Sequence, residues 1–391
     1  MRRSAQVGDG RRTKHSSSCS RTLNAVKRNG TVASGDDAVS RPPSGETVVL
    51  AGGVGAARML RAMRLHDSTL HVTAIVNTGD DAVVNGLYVS PDVDTVIYTL
   101  ADAIDPTRGW GLRDESWTAM ASLARYASLR PAGSVAPNHW FNLGDRDLAT
   151  HLYRTARLAE GASASAVTGE VAQAWGVPCR VVPMSDDRVA TQVVLADDAS
   201  LDGRVVYRAG ETISFQEYFV RLRHSVAVRS IEFVGAATAR ANGLAALQHA
   251  ERIVIAPSNP LVSIAPIRAL RGVDEILTAR RDDVVAVSPI IGGAAVKGPA
   301  DRMLRELGHE ATALGVARIY AEVCGTFVID TVDAALAQDI EQLGMRCVVT
   351  NTIMNNDVAA RHLAQVTLSA ATTVGVARGG TTRGGTTQGG S

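Results

Sequence analysis

Short runs of β-branched and aliphatic residues recur along the middle of this chain, with helix-like stretches between several of them. TVVLA (47–51), VTAIVN (72–77), CRVVPM (179–184), IEFVG (231–235), RIVIAP (252–257), VVAVSP (284–289), TFVID (326–330) and RCVVT (346–350) are the strand candidates. A strand that is apolar at successive positions needs cover on both faces. The helical patterns AARMLRAMRL (56–65), DLATHLYRTARLAEG (147–161) and AATARANGLAALQHAE (236–251) can supply that cover. Together they predict an α/β fold, a doubly wound and mostly parallel Rossmann-like sheet. The segment from Thr191 to Arg223 breaks the pattern and reads as hairpin strands, so a smaller antiparallel or helical insertion is expected around 191–235.

The foldable domain is expected over 46–376. Residues 1–45 are rich in Ser, Gly and Arg and lack apolar periodicity, so they read as a disordered basic extension, or as residues upstream of the true start. The tail 377–391 repeats Gly-Gly-Thr-Thr and reads as flexible. The formal net charge of +1 hides a division. The first 45 residues hold nine Lys/Arg against three acids, a balance of +6 that leaves −5 for the rest. An acidic body argues against a nucleic-acid surface. No apolar run is long enough to span a bilayer, and the first residues lack the apolar middle of a secretion signal. Cys19, Cys179, Cys324 and Cys347 form no C-x-x-C pair, which suits a reducing cytoplasm.

In open parallel sheets, ligands sit beyond the carboxyl ends of the strands, and the polar motifs of this chain follow its strands. AGGVGAAR (51–58) sets Gly52, Gly53 and Gly55 between a strand and a helix, where phosphate can approach backbone N–H groups. It lacks the lysine of a P-loop and departs from G-x-G-x-x-G, so a packing turn is the bland alternative. VNTGDD (76–81) and SPDVDT (90–95) carry Asp80, Asp81, Asp92 and Asp94. Carboxylates so dense can hold a divalent cation or take a proton from a hydroxyl nucleophile, and helix capping competes with both roles. LGDRDLATHLYR (143–154) gathers Asp145, Arg146, Asp147 and His151 at a helix start, where an anion or an internal ion pair could sit. APSNPLVSIAPI (256–267) and SPIIGGAAVKGPA (288–300) offer Ser258, Asn259 and Ser288 as donors to phosphate or a purine edge. MSDDRVATQVV (184–194) adds Asp186 and Asp187.

Taken together and in this order, these motifs, with GWGLRDESW, FQEYFVR and PMSDDRVATQV, resemble the 2-phospho-L-lactate transferase family. Its bacterial branch is the phosphoenolpyruvate transferases of coenzyme F-420 biosynthesis. The resemblance covers roughly residues 47 to 355. It implies transfer of a phospho-three-carbon acid, 2-phospholactyl or enolpyruvyl phosphate, from a diphosphoguanosine donor to the hydroxyl of the deazaflavin Fo, with release of GMP and a need for Mg2+. Two family positions that contact Fo fall on Asp94 and Asn142; the second is often Lys in the family. On this reading Asp94 and Asp81 are the catalytic candidates, and Asp80, Asp81, Asp92 and Asp94 are the metal candidates. The glycine turn, Ser258 and Asn259 are expected to bind the guanosine half, with Ser288, Asp145 and Arg146 as further substrate contacts. Family members are commonly homodimers. Two rivals are a non-catalytic nucleotide-sugar-binding regulator of the gluconeogenesis-factor type and a nicotinamide oxidoreductase. PDVDT, GWGLRDESW and LGDRDLATH favour the transferase over the first. The absence of G-x-G-x-x-G counts against the second.

Overall fold

The computed structural model describes residues 45–372 except 132, 133, 135, 138 and 139. Apart from Gly45, the extension and tail expected at the two ends lie outside the described residues. Seven of the eight apolar runs form one sheet: β1 (Thr47–Ala51), β2 (Val72–Val76), β3 (Arg180–Pro183), β4 (Arg252–Ile255), β5 (Val284–Val287), β6 (Thr326–Asp330) and β7 (Arg346–Thr350). Their order is β7-β6-β5-β4-β1-β2-β3. Every neighbouring pair is parallel.

The period of two along a strand explains why these runs are apolar throughout. Val48 and Leu50 of β1 enter one core, while Val49 and Ala51 enter the other. In β4, Ile253 and Ile255 face the first core and Val254 faces the second. Helices α1 (Gly53–His66), α2 (Pro91–Leu100) and the C-terminal Asp357–Thr372 cover the second face through Met59, Met63, Val96, Ile97 and Leu363. Leu247, Leu277, Val316 and Ile340 cover the first. The sheet is therefore doubly wound, as the pattern predicts.

IEFVG departs from the expectation for the main sheet. It lies in the strand Val228–Val234, which pairs antiparallel with Ala190–Leu195, and Thr212–Ser214 flanks the other side. This small sheet has its own apolar cluster, with Val193, Leu195, Ile213 and Tyr218. The strand Ala190–Leu195 alternates buried and half-buried residues, as a strand with one covered face should. The helical pattern at 236–251 contracts to Leu244–His249, because Gly243 takes a left-handed φ of 75° and starts the helix late. The three described cysteines are free. Among the described residues, no helix is long and apolar enough to cross a membrane.

The strand order places a switch point between β1 and β4, from which the chain winds outwards in both directions. The carboxyl ends of these two strands part there and open a crevice. The crevice floor is tight. The Ser258 hydroxyl donates to the Gly52 carbonyl at 2.8 Å. A Cβ on Gly55 would lie 2.0 Å from the Pro257 carbonyl oxygen, far inside contact distance. Gly55→Ala must push α1 away from the β4 loop. It is predicted to cost about 1–3 kcal/mol in urea unfolding, the usual range for overpacking. An unchanged unfolding midpoint would show that the floor relaxes freely.

Candidate active site

The four acids quoted above are carried by a strand, a hairpin and a helix. The chain leaves β2 through Asn77, turns at Asp80-Asp81, and makes a hairpin of Ala82–Val84 with Leu87–Val89. Asn85 and Gly86 both take positive φ (54° and 83°), the geometry that Asn-Gly favours in a tight hairpin. Helix α2 then starts at Pro91, with Asp92 and Asp94 in its first turn. Ser90 holds the cap position, and its hydroxyl donates to Asp81 Oδ2 at 2.7 Å. Asp94 lies inside the helix, so capping is not its work.

These turns open into a cavity of about 700 Å³ at the switch point. Of the residues expected from sequence, Gly52, Gly53, Gly55, Asp80, Asp92, Asp94, Asn142, Ser258, Asn259 and Ser288 line it. Asp81, Asp145 and Arg146 are not on its wall. The Ser258 and Ser288 hydroxyls turn to nearby backbone, the second donating to the Ile290 carbonyl at 2.8 Å. Asn259 Oδ1 accepts from the Leu261 N–H at 2.9 Å, which leaves its amide facing Met303 Sδ at 3.7 Å.

The four acids have different electrostatic surroundings. Asp94 is buried and both of its oxygens accept from the buried Arg154 guanidinium, one at 3.0 Å from Nη1 and the other from Nη2. Arg154 lies on α3 (Asp147–Ala159), beside His151. His151 Nδ1 stands 3.8 Å from Asp94 Oδ2, and His151 Nε2 stands 3.3 Å from Asp147 Oδ2. The Tyr98 hydroxyl donates to Asp147 Oδ1 at 2.6 Å. Burial alone would raise the Asp147 pKa, but the nearby His151, the Tyr98 hydrogen bond and the Arg154 charge outweigh it and hold the carboxyl below its ordinary value.

Among the described residues Asp80, Asp81 and Asp92 form no ion pair of this kind, although the charges of Arg154 and Arg188 act on Asp81. Burial pushes Asp80 well above the ordinary carboxylate value, and the nearby charge of Asp92 pushes it further. Its Oδ1 is buried without a hydrogen bond. Burial also raises Asp92 to about 6, although the Asn77 amide and the Gly53 N–H pull it back. Asn77 donates to Asp92 Oδ2 at 2.9 Å. Asp81 rises to about 8, again mainly through burial, and its Oδ1 has no partner.

Among the described residues, no three side chains of metal-ligating type converge on one point. A protein-only cage is therefore not what these residues build. Magnesium is usually held by one or two carboxylates together with substrate phosphates. The orphaned Asp80 Oδ1 and its repulsion from Asp92 fit that arrangement.

The stretch Asp145 to Asp147 is braced from within. Glu115 Oε2 accepts from the Arg146 N–H at 2.8 Å and Oε1 from the Asp147 N–H at 2.9 Å. The anion at the start of α3 is thus the protein's own. A Cβ on Gly144 would lie 2.2 Å from Glu115 Cδ, so glycine makes the room. Asp145 accepts from the Ser116 hydroxyl and from the N–H groups of Thr118 and Ala119, and Arg146 Nη1 donates to the Arg113 carbonyl. GWGLRDESW and LGDRDLATH therefore lock together and hold Asn142 at the cavity edge. Asp186 and Asp187 are likewise occupied, accepting from the Ser165 and Arg240 N–H groups. Sequence reasoning missed Asn77, Glu115, Arg154 and Gln216, whose amide donates to the Asp80 carbonyl at 2.9 Å. The Asn85-Gly86 pair is the clear local signal of the hairpin.

The family model of 2-phospho-L-lactate transferase CofD matches residues 47–368. The chain belongs to this family. A phosphoenolpyruvate transferase of Streptomyces griseus is 42% identical over 327 residues, covering 83% of this chain and 98% of that protein. One from Mycobacterium tuberculosis strain H37Rv is 42% identical over 300 residues, covering 73% and 86%. A crystal structure of a UPF0052-family protein from Bacillus halodurans shares the fold, with a TM-score of 0.51 at 13% identity over 83% of this chain and 98% of that one. Membership makes this an enzyme of the phosphoenolpyruvate or phospholactate transferase kind and sets both rivals aside.

The raised pKa of Asp81 in this transferase has a definite consequence for stability. Its carboxyl goes from an ordinary 3.8 to about 8 on folding. A raised folded value favours the fold while the group is protonated, and that contribution fades as pH rises from about 4 through about 8. Asp81→Asn should therefore stabilise the metal-free protein at pH 8 by at least about 1 kcal/mol and change little at pH 4. Urea unfolding at the two pH values checks this, and an equal effect at both would contradict it.

Proposed function

We propose that this protein moves a phospho-three-carbon-acid group from its diphosphoguanosine donor to the hydroxyl of the deazaflavin Fo, releasing GMP, as a step of coenzyme F-420 biosynthesis. The observation that supports this most is a shared space. Asp94 and Asn142, at the positions that meet Fo in the family, open into the same cavity as the glycine turn and Asn259. A volume of about 700 Å³ lies within the range of small-molecule sites. The same reading carries a cytoplasmic location and a homodimer.

Asp94 is assigned to the acceptor. An ionised carboxylate has about four lone-pair sites. Arg154 uses one on each oxygen, which leaves others for the Fo hydroxyl. Asp94 then orients the attacking oxygen and takes its proton, while Arg154 fixes the carboxylate in place. Asn142 offers an amide to a polar edge of the deazaflavin. Asp80 and Asp92 would hold Mg2+, with Asp81 supporting them from behind the wall. Bound there, the ion supplies charge neutralisation on the donor's diphosphate. The protein's remaining work is alignment, since attack on such a phosphorus needs in-line positioning more than covalent help.

The test offers the lactyl and enolpyruvyl diphosphoguanosine donors, each with Fo and magnesium, and weighs the products. At least one donor should give Fo enlarged by the phospho-acid, together with an equal amount of GMP. No transfer from either donor would overturn the reading.

A further inference from the structure

Two cations on the cavity wall have no acidic partner among the described residues. Arg58 lies on α1 beyond the glycine turn, and Lys297 lies in the loop before Ala300. The wall's other cation of this kind, Arg108, is already engaged. It pairs with Asp105 at 2.9 Å, donates to the Leu112 carbonyl at 2.9 Å, and lies over the rings of Trp110 and Trp117. Among the described residues the Lys297 ammonium reaches only the Arg108 carbonyl, at 3.4 Å. Partial burial and then the charge of Arg58 depress the Lys297 pKa, as expected of two cations facing one space without an anion.

The glycines fix where this positive charge sits. A Cβ on Gly109, whose φ is +77°, would come 2.7 Å from Lys297 Nζ and 3.3 Å from Val54 Cγ1. The ammonium therefore stands beside the first turn of α1. Asp92 adjoins the same turn, with its Oδ2 2.9 Å from where a Gly52 Cβ would be. Uncompensated negative charge and uncompensated positive charge thus border one glycine turn. Nearby, the Asp80 Oδ1 is buried on the same wall with no hydrogen bond. A phosphate chain that carries a divalent cation on one side meets both.

We propose that Arg58 and Lys297 bind the nucleotide phosphate of the donor and stabilise the charge it gains as it leaves. This deepens the transfer reading above and rests on it. In the step, the Fo hydroxyl oxygen forms a bond to the phosphorus bearing the three-carbon acid. The bond from that phosphorus to the bridging oxygen breaks, the electron pair stays on that oxygen, and GMP departs with it. The hydroxyl proton passes to Asp94. Negative charge grows on the GMP phosphate during this step, so cations placed there favour the transition state over the bound donor.

The test compares Arg58→Met and Lys297→Met with the wild type, and includes Arg58→Lys as the conservative change. Calorimetry measures GMP and guanosine binding, and steady-state kinetics measures transfer. Each Met variant should weaken GMP about tenfold, leave guanosine unchanged, and lower kcat about a hundredfold with an unaltered KM for Fo. Arg58→Lys should recover part of the loss, and circular dichroism melts should match the wild type. GMP affinity unchanged in both Met variants would overturn the assignment, as would equal losses for GMP and guanosine. A wild type that binds GMP through these two residues yet transfers nothing to Fo would support the phosphate seat and sink the transfer reading.

Discussion

The buried pairing of Asp94 with Arg154 ties α2 to α3 and sorts the charges of the cavity. Both partners are almost wholly buried, with 5% and 3% of their surface exposed. Removing one partner of such a pair leaves a buried charge alone and typically costs about 3–5 kcal/mol. Arg154 forms its ion pair with Asp94, and Asp80, Asp81 and Asp92 have no such pair among the described residues. Burial then holds Asp80, Asp81 and Asp92 at raised pKa values, and the charges of Asp92 and Asp81 raise Asp80 further. Four acids that look equivalent in sequence thereby take separate parts. One is ion-paired and fixed, and three are buried without an ion pair among the described residues.

The fold makes this division possible through its winding. The switch point between β1 and β4 brings Gly52 to Gly55, Asp80 and Ser258 to one crevice from three loops far apart in sequence. The antiparallel insertion closes one side, with Phe215 and Phe219 stacked at 5.5 Å on the wall. Phe141, Asn142 and Leu143 line another part of the wall, and the Glu115 brace holds Arg146 and Asp147, which follow them in the chain. It places α3, and with it Arg154 and His151, against α2. Stability and function share residues here: Gly144 admits Glu115, and that brace, with the buried Leu143, holds the loop that carries Asn142.

Much of this was legible in the sequence. Buried parallel strands are apolar on both faces, so TVVLA, RIVIAP and VVAVSP announce themselves without help from any neighbour. The glycine turn and the acid pairs follow strands, and that placement is enough to direct them to one crevice. Three things were not legible. IEFVG has the length and the Ile, Phe and Val of a core strand, and its antiparallel place is set by a distant partner at Ala190–Leu195; Glu232 is its one local mark of an uncovered face. Arg154 is 60 residues from Asp94, and a lone arginine on a helix carries no mark of its destination. Asp145 and Arg146 have the composition of an anion site, but the anion is Glu115, 31 residues before Arg146, and local spacing cannot show a seat already taken.

The division of labour among the acids is open to direct measurement through Mn2+ as a paramagnetic stand-in for magnesium, titrated with and without GDP. If Arg154 compensates Asp94 while Asp80 and Asp92 await the cation, Mn2+ should bind tightly only when the diphosphate is present. Asp80→Asn and Asp92→Asn should each abolish that binding, and Asp94→Asn should leave it nearly intact. Loss of Mn2+ binding in Asp94→Asn, with the other two variants unaffected, would contradict the assignment.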